Sequence, residues 1–196
     1  MKKIQQFLIA FTASLFLVAN TAPPIVYANE TNKLINEQQM VEQKLSQPLN
    51  ISEEQLDQLI QNKKALYPDL NENQMREIAY QAMSPYTFKA NVLDGKGVTL
   101  SEFAWAFDVI VGGLISGYAT IGKYAAKHGV AAAKAMLSRA AKAAAQRVGV
   151  LTGFISGLLG AAFSVINIYY NVGYALAQYI DARDYHPNNG RINAWA

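Results

Sequence analysis

Apolar residues follow two regimes along the chain. Up to about residue 83 they recur at helical spacing among polar side chains; from Ser101 onward they merge into long runs. In the first regime, Leu34, Val41 and Leu45 mark one face of a helix over 33–45. Ser52 followed by Gln55 has the form of a capping box, with Leu56, Leu59 and Ile60 on one face behind it. Pro68 and Asp69 break the chain and Asn71 is placed to cap a new helix. Met75, Ile78, Ala79, Ala82 and Met83 then keep i, i+3, i+4, i+7, i+8 spacing, and Ser84-Pro85 ends the run. The second regime divides into three helical segments. Residues 101–122 are strongly apolar with Asp108 as an interruption, Ser101 is a candidate N-cap, and Glu102 favours the first turn through the helix dipole. Residues 123–147 are alanine-rich, which gives high intrinsic helix propensity. Residues 148–180 hold 33 positions without a charged side chain. The expected class is all-α: short amphipathic acidic helices, then an alanine- and glycine-rich three-helix region that is apolar and basic.

Glycine and charge shift together. All 13 glycines lie at Gly95 or later. Residues 29–94 carry 6 basic and 10 acidic side chains, a net charge of −4; residues 95–196 carry 9 and 4, a net charge of +5. The coincidence places a junction in residues 91–99 and predicts that the halves attract each other. Glycine costs about 1 kcal/mol relative to alanine inside a helix, so its recurrence needs a compensating gain. Gly113 and Gly117 form one G-x-x-x-G pair; Gly149, Gly153 and Gly157, continued by Gly160 beside them, form a ridge that suits close helix packing, above all in lipid. As one continuous helix, 148–180 would reach about 50 Å, longer than a hydrocarbon core of roughly 30 Å. A soluble bundle also buries helices that are apolar all round, so the same segment fits a globular core.

The helix 123–147 contains Lys123, Lys127, Lys134, Arg139, Lys142 and Arg147 and no acid. Such a helix seeks an anionic surface, whether a membrane, a cell envelope or the acidic half of the same chain. Nucleic acid is not expected, because no groove-reading or stacking motif accompanies the charge. The N-terminus has a basic start at Lys2 and Lys3, an apolar run from Phe7 to Ala19, and Val26-Tyr27-Ala28 at cleavage positions, the layout of a secretory signal peptide over 1–28. The chain has no cysteine, so packing or a membrane must supply its stability. Three regions are thus expected: 1–28, an acidic pro-segment or cover over 29–94, and a basic domain over 95–196.

Catalytic chemistry is thin. His128 has no histidine partner at helical spacing, and His186, near Asp181 and Asp184, sits before Pro187 in a turn, which favours a local structural role. No phosphate loop, nucleophile elbow or zinc-binding spacing is present, so neither an enzyme, a cofactor nor a metal is expected.

This layout of signal peptide, acidic helical leader and cationic, cysteine-free, alanine- and glycine-rich C-terminal part resembles the precursors of secreted Gram-positive bacteriocins. The resemblance covers 101–196 and rests on architecture; the active part is longer than in the small peptides, and no double-glycine leader site is found. It implies permeabilisation of target membranes: the basic helix binds an anionic surface, 101–122 and 148–180 insert, and the glycine ridges pair or self-associate. The rival expectation is a non-lytic secreted helical protein that binds a cell-wall or protein partner, an immunity or inhibitor role included.

Overall fold

The computed structural model describes residues 24–86, 97–116 and 120–193, with side chains from residue 32 onward. Residues 1–23 of the signal peptide expected over 1–28, residues 91–96 of the junction, and Gly117 lie outside the described residues. The chain divides into two compact units, 1–37 and 38–196. Residues 24–37 of the first are helical; the second is a helical bundle.

The described elements are α1 (Pro24–Leu45), α2 (Glu53–Lys63) with a 3-10 turn at Lys64–Leu66, α3 (Glu72–Met83), β1 (Val98–Thr99), α4 (Leu100–Leu114), α5 (Ile121–His128), α6 (Val130–Arg147), α7 (Thr152–Val165), α8 (Val172–Asp181) and β2 (Arg191–Ile192). The all-α class is therefore correct, with one two-stranded antiparallel pair, Val98 opposite Ile192 and Thr99 opposite Arg191.

Local signals explain four of the eight described α-helix starts, the fourth being Thr120 at α5. Ser52 and Gln55 form the reciprocal capping box, as do Asn71 and Gln74. For α4 the cap is Thr99, which boxes with Glu102; Ser101 is already inside the helix and donates to Asp69 Oδ1 at 2.6 Å. The three segments expected after residue 100 are five helices. The alanine-rich run breaks at Gly129 (φ 92), and the uncharged run breaks across residues 166–171, so no 33-residue helix forms. No helix among the described residues is long and apolar enough to cross a membrane.

The centre of the bundle is α4, packed by α3, α6 and α8. Every residue from Phe103 to Val111 is buried, including Trp105, whose Nε1–H donates to the Met75 carbonyl at 2.6 Å. A helix apolar around its whole circumference finds its place in a core of this kind. Helices from the acidic half (α2, α3) and the basic half share one core.

Candidate functional site

Two features stand out: a set of buried polar contacts that close the bundle, and an uncharged outer face on α7.

Asp108 projects from the middle of α4. Its Oδ2 lies 2.8 Å from Lys63 Nζ and accepts a 2.8 Å hydrogen bond from the Tyr67 hydroxyl. The need for a cation beside this aspartate follows from the cost of burying a lone carboxylate, and the cation comes from the acidic half. Burial foremost, then the Asp108 charge and hydrogen bond, pushes the Tyr67 hydroxyl far above the usual tyrosine range. Tyr67 also meets Trp105 edge-on, with ring centroids 5.9 Å apart.

The six basic residues expected to bind a surface do not act together. Arg147 is buried, 2% exposed, and is corrected to a structural role: its guanidinium donates to the carbonyls of Ala82 and, at 3.0 Å, of Leu45. These carbonyls belong to the last turns of α3 and α1, where helix ends leave acceptors unpaired and carry partial negative charge. Burial lowers its guanidinium to about 10, so it remains a cation at pH 7. Arg139 donates to Glu42 at 2.7 Å and to Gln38 at 3.0 Å. Lys123, Lys127 and Lys142 are exposed and Lys134 is half-buried. The spacing of cations along a helix shows charge density and is silent on which of them will meet helix ends elsewhere in the chain.

The glycines divide likewise. Gly149 is not a ridge position. It is the left-handed residue (φ 84) just after α6, and the Val150 N–H to the Ala145 carbonyl at 2.7 Å completes a Schellman stop. A Cβ at Gly113 would meet Leu49 at 3.2 Å, so this glycine packs against the loop after α1. At Gly153, Gly157 and Gly160 a Cβ would meet nothing within 4 Å. These three lie on the outward side of α7, whose inward side buries Ile155, Leu159, Ala162 and Phe163. The close approach that glycine makes possible occurs at Gly173 in α8, where a Cβ would stand 2.8 Å from the Ala104 carbonyl. Gly173 carries no G-x-x-x-G partner, so spacing did not single it out.

The outward side of α7 has further character. Ser156 donates to the Thr152 carbonyl at 2.7 Å and Ser164 to the Ala161 carbonyl at 2.6 Å, so both hydroxyls are turned onto their own helix. Leu151 and Val165, at the two ends of the helix, are 55% and 70% exposed, and Tyr169 and Tyr170 just beyond are exposed as well. The result is a charge-free helix face whose exposed serine hydroxyls are already paired.

At the C-terminal turn, Asp181 accepts from the backbone N–H groups of Asn189 and Gly190, and Asp184 from those of His186 and Asn193. Both aspartates hold the turn that returns the chain to β1. Comparison with protein-family models, with curated proteins and with solved structures finds no match.

Proposed function

We propose that this chain is a secreted, bacteriocin-like protein that permeabilises anionic target membranes and that the bundle is its closed form. The observation that carries the reading is the outward face of α7: uncharged, lined by Gly153, Gly157 and Gly160, with Ser156 and Ser164 donating inward. The two serine hydroxyls of this face keep their hydrogen bonds on meeting lipid. Beside α7 packs α6, a helix without an acid. Attraction to anionic headgroups is worth about 1 kcal/mol per basic residue near the surface. At 14 residues, α7 measures about 21 Å, less than a hydrocarbon core of roughly 30 Å. Docking of α7 along the surface therefore comes first. The bundle opens next, once Lys63 releases Asp108, and α4 and α8, which at 15 and 10 residues are also too short to span the core, enter the interface beside α7.

The test is the pair Gly153→Leu and Gly157→Leu. Both positions are exposed and a Cβ at either meets nothing within 4 Å in the closed bundle, so folding is retained. The double variant still binds anionic vesicles and no longer makes them leak. Unchanged leakage would remove the glycine ridge from the mechanism.

A second reading has its own observation. The deep burial of α4 by helices of both halves suits a non-lytic secreted binding protein that never opens. Its mark is a chain that leaves vesicles intact.

A further inference from the structure

We infer that the cleft beside the Lys63–Asp108 pair is a binding site for a neutral saccharide, a reading that goes beyond membrane permeabilisation and does not depend on it. The cleft, of about 750 Å³, lies between the C-terminal half of α2, the end of α4, and the segments 120–122 and 169–172. Small-molecule sites occupy roughly 300–1,000 Å³.

Charge defines what this cleft selects. Among the described residues of its wall the charged side chains are Lys63 and Asp108, which neutralise each other at 2.8 Å. The remaining polar groups are amides and hydroxyls, among them Gln58 and Asn62 of α2 and Tyr169, Tyr170 and Asn171 of the segment before α8. Each amide offers a planar pair of acceptor and donor, the arrangement that bridges neighbouring hydroxyls. Tyr169 and Tyr170 are 60% and 76% exposed, an unusual display of aromatic surface. Their rings supply flat apolar surface for the C–H face of a pyranose, with a hydroxyl at the rim. An anion would find no unpaired cation here, and a wholly apolar ligand would strand the amides.

Asn171 adds an independent sign. Its Oδ1 is the one buried side-chain oxygen or nitrogen without a hydrogen-bond partner among the described residues. The residue also holds a left-handed backbone, φ 39. Buried acceptors are rarely left unpaired; this oxygen has almost no accessible surface, so a sugar hydroxyl reaches it when the Asn171 side chain turns toward the cleft.

The test is an NMR titration of the intact secreted chain with a panel of neutral disaccharides containing glucose, mannose, galactose or N-acetylglucosamine, with glucuronic acid as the anionic control. The expected result is saturable shifts at Asn62, Tyr170 and Asn171 with at least one neutral disaccharide and none with glucuronic acid. Tyr170→Ala and Asn171→Gly each weaken binding about tenfold or more, the scale of one lost ligand contact in a site of this kind. Both variants keep the fold, because Tyr170 is exposed and glycine accepts the left-handed backbone. Beads bearing a neutral polysaccharide separate the sources: capture indicates a chain-borne glycan, and binding in solution alone a free sugar. Absence of saturable shifts with every neutral disaccharide, stronger binding of glucuronic acid, or shifts unaffected by both variants would overturn the assignment.

Discussion

The guanidinium of Arg147, at the end of α6, donates into the carbonyl of Ala82 in the last turn of α3, which ties the basic half of the chain to a helix of the acidic half. With Leu45 as its second acceptor, one buried cation closes the C-terminal ends of two helices. Its replacement by methionine leaves two acceptors unpaired. The expected loss of stability is about 2–4 kcal/mol, read from urea unfolding. Lys142→Met, on the exposed side of the same helix, is expected to change stability by less than about 0.5 kcal/mol.

Lys63 and Asp108 form the other closure. Removal of the lysine leaves a buried carboxylate uncompensated, which in a fully buried pair costs about 3–5 kcal/mol. Lys63 is 30% exposed, so water recovers part of this. Lys63→Met is expected to destabilise by about 2–3 kcal/mol and, because it weakens the hold on α4, to speed leakage from anionic vesicles. Slower leakage with the same loss of stability would show that opening at this pair is not a step in the mechanism.

Tyr67 gives the fold an alkaline limit. Its folded-state pKa is raised above the unfolded value of about 10. In that window the folded chain keeps a proton that the unfolded chain releases. The contribution of Tyr67 is therefore complete below about pH 10 and is lost as pH rises further. Arg147 has the opposite sign: its folded value, about 10, lies below the unfolded one, so its own contribution rises over the same window. Tyr67→Phe is expected to lower stability at pH 7 by about 1–2 kcal/mol and to flatten the decline above about pH 10. Denaturation curves at neutral pH and on either side of that point would measure it.

Gly173 and Gly153 separate two uses of glycine. At Gly173 a methyl group would meet the Ala104 carbonyl at 2.8 Å and Asp108 Oδ1 at 3.0 Å, so Gly173→Ala is expected to cost about 1–3 kcal/mol through overpacking. Gly153→Ala meets open space and is expected to stabilise α7 by about 0.5–1 kcal/mol. Thermal unfolding of the two variants would show shifts of opposite sign.

These contrasts also mark how far the sequence could be read. The capping box at Ser52, the cap at Asn71 and the end of α3 before Pro85 were legible, because each depends on residues within four positions. The all-α class came from the same periodicity. The breaks at Gly129 and across 166–171 were not legible, because a glycine or asparagine inside an apolar run is compatible with a helix until tertiary packing selects the left-handed turn. Arg147 was misplaced for a related reason: its partners are the carbonyls of Ala82 and Leu45, main-chain atoms that no side-chain pattern announces. At Asp108 the interruption of an apolar run was legible and its partner Lys63, 45 residues earlier, was not.

The central claim is that the closed bundle opens on an anionic bilayer. The direct measurement is release of an entrapped dye from phosphatidylglycerol vesicles and from phosphatidylcholine vesicles by the purified chain. Release from the anionic vesicles, with little from the neutral ones, is the expected result. A folded, helical chain that releases dye from neither would contradict the account and leave α4 and α7 as parts of a bundle that does its work closed.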